Sequence, residues 1–582
     1  MVDASQILEN ALPGAAYWKN FYTAEPPFDP NTVLKTFWDL GEAFLKKPKV
    51  GEYTQTHILR EASKLNAYLW HRYFGKGEPP APLYTPHRKD RRFRDAIWEE
   101  NPFFDTLKQA YLMVCESWIH ACSSLETPSP QQEQKRQFFL RQLLDACAPT
   151  NFVFSNPAVL RACSESGGEN LLQGMVRFLE DWERGQGLLD MDPSDRSAFS
   201  VGKNLAVTPG KVIFQNDVMQ LIQYSPTTPN VHKRPLLIVP PWISKYYVLD
   251  LQPENSFVRW LVSTGVTVFI TSWVKATPKH SYKSFEHYVQ EGLFEAFDAI
   301  HEATQETTLN VLGYCLGGTL LLSALACLRH PKCPYKPSMR VASATLLTTL
   351  TDFQEAGFLS IFAGEEDQLR LERRMAHEGF LNGRILFKTF NALRANDLIW
   401  STFVERYLLG KSPVPHDILF WNSDTTHTPR ALHSFVLRNF YRKNLLANPG
   451  SLKLKGVPID LSVIREPVFM LSTHDDHIAP WKATYATTRL LKNAPITFLL
   501  AGSGHVAGIV NPPKAKKYEY WTNEDLAVQS EDWLAQARKT AGSWWPAWRQ
   551  WLEAHSGGTV PCRTPGARGP IVEEAPGTYV KA

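Results

Sequence analysis

The chain has 582 residues, with 62 Lys and Arg against 58 Asp and Glu, a formal charge of +4, and 44% hydrophobic residues. That balance belongs to a globular protein with a buried core. It excludes a disordered tail, a collagen, a small disulfide scaffold and the basic footprint of a nucleic-acid binder.

The opening residues, through Trp18, include Asp3 and Glu9 and have no early Lys or Arg. They have neither the basic start and apolar stretch of a secretory signal nor the Arg-rich face of a transit peptide. No apolar run approaches the roughly 18 residues that span a bilayer. The 8 cysteines form no CxxC pair and show no spacing with His that reads as a zinc site. These features predict a cytoplasmic, reducing setting, no metal, and thiols that mostly pack.

From residue 1 to about 200 the pattern is mainly helical. Apolar residues recur at three- and four-residue spacing in 105–122 and 133–148. Turn clusters at Gly77-Glu78-Pro79-Pro80, Thr127-Pro128-Ser129-Pro130 and Ser166-Gly167-Gly168 separate these stretches. From about 201 the texture changes to short apolar runs alternating with helical stretches. The runs are 235–240, 266–270, 309–313, 342–348, 467–472 and 496–500. This alternation predicts βαβ units and a mostly parallel sheet with helices on both faces. The aromatic-rich stretch of roughly 352–450 is too long for a loop and reads as an inserted cap. Residues 201–555 thus form one catalytic domain, and 556–582, rich in Gly and Pro, an extended arm.

The run 309–313 leads into Gly313-Tyr314-Cys315-Leu316-Gly317-Gly318 and then an apolar helix. This is the G-x-nucleophile-x-G turn of α/β hydrolases with Cys in place of Ser, so the fold class is an α/β-hydrolase fold. The turn strains the nucleophile's backbone, and side chains on its glycine neighbours would clash. The reward is a sulfur raised above the sheet at a helix N-terminus, where dipole and free N–H groups favour an anion. The N–H of Leu316 would face a developing oxyanion. Packing is the reading for the other seven cysteines.

A thiol nucleophile needs a base, usually His, oriented by a carboxylate. The chain order of such hydrolases is nucleophile, acid, base. The run 467–472 is followed by Thr473-His474-Asp475-Asp476-His477, and 496–500 by Ala501-Gly502-Ser503-Gly504-His505. One helix and one strand separate the two groups, which puts both on the edge of the sheet that carries Cys315. His505 is the candidate base. Spacing alone does not separate Asp475 from Asp476, and His477 is either a second active-site imidazole or a structural one. A second oxyanion donor should follow the run 235–240. There Pro240 and Pro241 lack N–H groups, which leaves Trp242 and Ile243 as the first donors.

With these motifs assembled, the chain resembles the polyhydroxyalkanoate synthases, of the class I short-chain type. The resemblance runs along nearly all of it: Asp90-Arg91-Arg92-Phe93, Glu100-Asn101-Pro102-Phe103, 201–210 (VGKNLAVTPG), Pro240-Pro241-Trp242-Ile243, the turn around Cys315, Asn396-Asp397-Leu398-Ile399-Trp400, Trp421-Asn422-Ser423-Asp424, Asp476-His477-Ile478 and Ala575-Pro576-Gly577. It implies Cys315 as acylated nucleophile, His505 as general base and Asp476 as catalytic carboxylate, with Leu316 and Ile243 supplying the oxyanion hole. It further implies substrate contacts from Trp242, His477 and the cap residue Arg394. The implied substrate is an (R)-3-hydroxyacyl-CoA, converted to polyester with no cofactor beyond the coenzyme A thioester itself. The implied partners are the growing polyester chain, the surface of a cytoplasmic polymer granule and a second copy in a homodimer, with no nucleic acid and no membrane span. Two departures stand near the substrate entrance: Ser244 where the family commonly has Asn, and Val274-Lys275-Ala276 where an Asn-Pro-Asp-like turn is common.

Two other readings share parts of this pattern. A hydrolase with a Cys nucleophile (a thioesterase, lactone hydrolase or polyester depolymerase) would use the same triad and release free acid. A non-catalytic granule-coating protein would need no intact order of Cys315, Asp476 and His505.

Overall fold

Three N-terminal helices begin at the same chemical signal, a short polar side chain followed by proline. Asn101 accepts from the N–H of Phe103 at 2.9 Å, Ser129 from Gln132 at 3.2 Å and Asn156 from Ala158 at 2.9 Å. In each, the following proline occupies a position where its missing N–H costs nothing. The computed structural model describes residues 42, 48–87, 90–125, 129–185, 189–191 and 193–582. The opening residues and part of the turn at 127–130 lie outside the described residues.

The chain divides into two units. The first holds the helices α1 (Pro48–Phe74), α2 (Pro102–Ser123), α3 (Pro130–Ala146), α4 (Pro157–Ser166) and α5 (Glu169–Arg184), together with Ile385–Val414. The sequence placed 385–414 in the cap, whereas it clusters here for clear reasons. Arg406 reaches the fully buried Asp181 at 2.5 and 2.8 Å, and the Tyr407 hydroxyl donates to the same carboxylate at 2.6 Å. Gln142 donates to the carbonyl of Ala392, and Asn396 to Asp145, both at 2.9 Å. A Cβ at Gly174 would overlap the carbonyl of Tyr407.

The second unit is built on one eleven-stranded sheet. Its strands in chain order are β1 (Gly210–Gln215), β2 (Met219–Tyr224), β3 (Leu236–Val239), β4 (Val268–Trp273), β5 (Thr308–Tyr314), β6 (Arg340–Leu347), β7 (Val468–Thr473), β8 (Ile496–Ala501), β9 (Glu519–Thr522), β10 (Arg538–Ala541) and β11 (Glu573–Glu574). Across the sheet they run β10-β9-β8-β7-β6-β5-β3-β4-β2-β1-β11. The block from β8 to β4 is parallel throughout and contains the six apolar runs expected from sequence. Its strands are apolar on both faces because both faces are covered, and two large cores flank them. β1, β2, β9, β10 and β11 add antiparallel edges. With a mostly parallel sheet between helices, the architecture is the α/β-hydrolase fold.

Residues 556–582 are bound into the domain. Thr559–Pro561 pairs with Asn230–His232, β11 pairs with β1, and the Tyr579 hydroxyl donates to the carbonyl of Asn216 at 2.7 Å.

One feature of this topology positions the site. β3 has β4 on one side and β5 on the other, so the chain reverses its direction of travel across the sheet between them. In open α/β sheets the crevice beyond the carboxyl ends of such strands is where ligands bind.

Candidate active site

At the end of β5 the backbone enters Cys315 with φ 54° and ψ −122°, a conformation few L-residues adopt, and continues into α6 (Leu316–Arg329). Its surroundings leave it no alternative. The N–H of Cys315 donates to the carbonyl of Leu347 at 2.8 Å, and its carbonyl accepts from Gly318 at 3.0 Å. A Cβ at Gly313 would overlap Gly318, one at Gly317 the carbonyl of Val239, and one at Gly318 the hydroxyl of Thr349. The glycines are therefore required by close approach of β5, β3 and the helix start. α6 is buried continuously from Leu316 to Cys327, so packing anchors the turn from behind. Cys315 itself is half-buried. The first N–H of the helix, that of Leu316, has no acceptor within its own helix.

His505 and Asp476 meet on the loops after β8 and β7. The imidazole Nδ1 lies 2.7 Å from Asp476 Oδ2, and both side chains are buried. Asp476 also accepts from the N–H groups of Ile478 and Ala479, each at 2.8 Å, and from the Thr473 hydroxyl at 3.0 Å. Burial alone would raise this carboxyl, but His505 and the backbone donors hold it below its ordinary value. Burial alone would drive the His505 imidazole down. Asp476 and then the Cys315 sulfur, each by charge and as hydrogen-bond partners, hold it up at about 10. Tyr314 stacks on the imidazole at 5.5 Å and donates its hydroxyl to the carbonyl of His505 at 3.1 Å. Cys315 and Asp476 thus both act on the one imidazole of His505. Asp475, by contrast, turns away, its N–H on the carbonyl of Ser503 and its carboxylate on His474.

The remaining candidates separate. Ile243 stands on the loop after β3, partly buried against the same core that Cys315 touches. Trp242 is only 2% exposed and packs between Phe285 and Tyr288, so its indole is a core group. His477 is half-buried directly after Asp476. Arg394 belongs to the other unit, where it is half-exposed and paired with Asp397. Among the described residues no cluster of His, Cys, Asp and Glu is arranged to hold a metal ion.

Two features escaped sequence reasoning. Tyr441 packs edge-on against Phe353 at 4.9 Å, and its phenol is pushed well up by burial and then by the charge of Cys315. It comes from the inserted stretch and lies in no motif. The loop carrying Ile243 is also tied to the inserted helix α7 (Asp417–Ser423) and its following Asp424, through Lys245. The motif ending in Asp424 was visible, but its partner was not.

Residues 89–261 match the family described as poly-beta-hydroxybutyrate polymerase (PhaC) N-terminus, and residues 273–512 match the alpha/beta hydrolase fold. The poly(3-hydroxyalkanoate) polymerase subunit PhaC of Rhizobium meliloti is 43% identical over 560 residues, covering 96% of this chain and 89% of that protein. The poly(3-hydroxyalkanoate) polymerase of Methylorubrum extorquens is 44% identical, covering 94% of this chain and 90% of that one. The PhaC subunit of Cupriavidus necator is 40% identical, with coverages of 87% and 85%. A relationship this close, running through both units and over a fold that places a cysteine on the hydrolase turn, shows that the chain belongs to the poly(3-hydroxyalkanoate) polymerase family of acyltransferases.

Proposed function

We propose that the chain polymerises short-chain (R)-3-hydroxyacyl-CoA, such as 3-hydroxybutyryl-CoA, through an acyl thioester on Cys315. The observation that carries this reading is the sulfur on a strained turn sharing one buried imidazole with Asp476. His505 takes the proton of Cys315, and the thiolate attacks the thioester carbonyl. The N–H groups of Leu316 and Ile243 face the resulting oxyanion. The carbon–sulfur bond to coenzyme A breaks, and the departing thiolate takes the proton back from His505. The 3-hydroxyl of a second unit then gives its proton to His505 as its oxygen attacks the Cys315 thioester. That carbon–sulfur bond breaks, the Cys315 sulfur leaves as the thiolate beside protonated His505, an ester remains, and the chain is one unit longer.

Cysteine suits this better than serine, because a thioester lies above an oxoester in free energy and transfer to a hydroxyl runs downhill. Water must lose to the hydroxyl, so the site works dry. The high proton affinity of His505 beside Cys315 favours its taking the thiol's proton at the start of each acylation. The reading includes a homodimer working at the surface of a cytoplasmic polymer granule, as the resemblance implies. Among the described residues no helix is long and apolar enough to cross a membrane.

The test is to incubate the protein with (R)-3-hydroxybutyryl-CoA and follow both products. The expected outcome is coenzyme A release with turbid, insoluble polyester, and neither with Cys315→Ala. Release of soluble 3-hydroxybutyrate without polymer would replace the reading with a cysteine hydrolase.

A further inference from the structure

We propose that Asp424 and Lys245 are positioning residues that hold the oxyanion loop to the inserted helix α7, so that the Ile243 N–H is set in place only when that helix is docked. The inference rests on the reading of Ile243 given above.

The loop from Pro240 to Tyr247 is fastened at two carbonyls. The Trp273 indole donates to Pro240 at 2.8 Å, and the Trp421 indole, from α7, donates to Lys245 at 2.7 Å. The Lys245 ammonium is itself only 7% exposed and lies 2.7 Å from Asp424 Oδ1. The other carboxylate oxygen accepts from the hydroxyl of the fully buried Tyr247 at 2.9 Å. The ammonium also donates to the main-chain oxygen of Ala582 at 3.1 Å. Asp424 is fixed from its own side, its N–H donating to the carbonyls of Phe420 and Trp421 at 3.0 and 3.1 Å. Farther back, Asn255 donates to Asp417 of α7 at 2.7 Å.

Stability gives little reason for this arrangement. A pair whose ammonium is buried and whose carboxylate is 24% exposed adds little over apolar side chains of the same size, because the ammonium must be stripped of water. What such a pair does supply is a defined geometry, since an ammonium left without its carboxylate is costly. Here the geometry is delivered to the residue two positions after Ile243. The two prolines stiffen the other end of the loop. Displacing α7 therefore shifts the backbone at Lys245 and, through it, the direction of the Ile243 N–H. A misplacement of about 1 Å at a reacting centre costs about a hundredfold in rate, and loss of an oxyanion donor about a hundred- to a thousandfold.

Two reactions of Cys315 separate this role from a structural one. Acylation by (R)-3-hydroxybutyryl-CoA passes through an oxyanion, and alkylation by iodoacetamide does not. In single-turnover measurements by intact mass, Asp424→Asn and Lys245→Met are expected to slow acylation about 10- to 100-fold while alkylation stays within about twofold. The steady-state loss should fall on kcat and leave KM unchanged. Because one contact is shared, the double variant should be no slower than the slower single one. Tyr247→Phe, which keeps the ion pair and the fold, should slow acylation alone by a smaller factor, and it carries the test if the charge variants do not fold. Unchanged acylation in these variants, or equal loss of acylation and alkylation, overturns the positioning role. A wild-type protein that alkylates at Cys315 but never acylates there overturns the proposed function as well.

Discussion

Replacing Asp476 by Asn is the most direct probe of how the site is charged, because it removes one negative charge while keeping shape. In the wild type two influences oppose each other at His505. Burial lowers its proton affinity, and Asp476 with Cys315 raises it to about 10. With the carboxylate gone, the largest opposing influence is lost, and burial, opposed only by Cys315, brings the imidazole down towards its ordinary 6.5. A fall from about 10 to 6.5 spans about 3.5 decades in proton affinity, or about 5 kcal/mol. The sign for stability follows. A histidine whose proton is held more tightly in the fold than in the unfolded chain stabilises fully below about pH 6.5, and the benefit fades as pH rises towards 10. Asp476, held below its ordinary value, contributes above about pH 4 and loses that contribution in acid. The gap in melting temperature between wild type and Asp476→Asn should therefore be widest near pH 5–6 and should close towards pH 10. Imidazole ¹⁵N shifts report the same event directly: His505 should stay protonated through pH 8 in the wild type and be neutral there in the variant. Alkylation of Cys315 at pH 7 should fall at least about tenfold once the neighbouring cation is gone. A melting gap that widens with pH, or a His505 that titrates alike in both proteins, would refute the reasoning.

Other substitutions test the scaffold. Cys315→Gly should abolish activity yet relieve a strained backbone at φ 54°, and denaturant unfolding should show a gain of about 1 kcal/mol or more over Cys315→Ala. Gly317→Ala drives a methyl into the carbonyl of Val239 and should cost upward of about 2 kcal/mol in the same assay, with loss of Cys315 alkylation. Arg406→Met leaves the buried Asp181 short of its main partner; a loss of about 3 kcal/mol is expected, with hydrogen exchange rising in α5 and in 385–414.

Legibility in the sequence followed burial. The parallel strands announced themselves because a strand covered on both faces has no polar alternation to hide it, as Leu236–Val239 and Val268–Trp273 illustrate. β2 is equally buried but was missed, because Gln220 and Gln223 interrupt its apolar residues. Both amides are satisfied, Gln220 on Gln215 of the strand next door and on Glu573, and Gln223 on the carbonyl of Arg563. Glu573 and Arg563 come from the C-terminal arm, and no window along the chain contains them with β2. β11 has two residues and no pattern to detect. The assignment of 385–414 failed for a related reason: amphipathic helices show that a face is covered, not which body covers it.

The site divides along the same line between local and distant determinants. The cysteine turn was readable because its requirement is steric and local: three glycines within six residues, each blocked by an identifiable atom. The choice between Asp475 and Asp476 was not, because the two carboxylates differ only in direction. One gathers His505 and two backbone N–H groups, while the other pairs outward with His474. Trp242 shows the complementary error. It stands on the loop after β3, but a residue contributes backbone and side chain separately, and here the indole is spent on the core between Phe285 and Tyr288. Asp424 and Lys245 carry the point furthest, since each stood in a legible motif and neither motif named the other. Short motifs report what the backbone must do at one place. The tie between the loop after β3 and the insertion is a contact closed across nearly two hundred residues, and it exists only once the fold has brought a buried ammonium to its carboxylate.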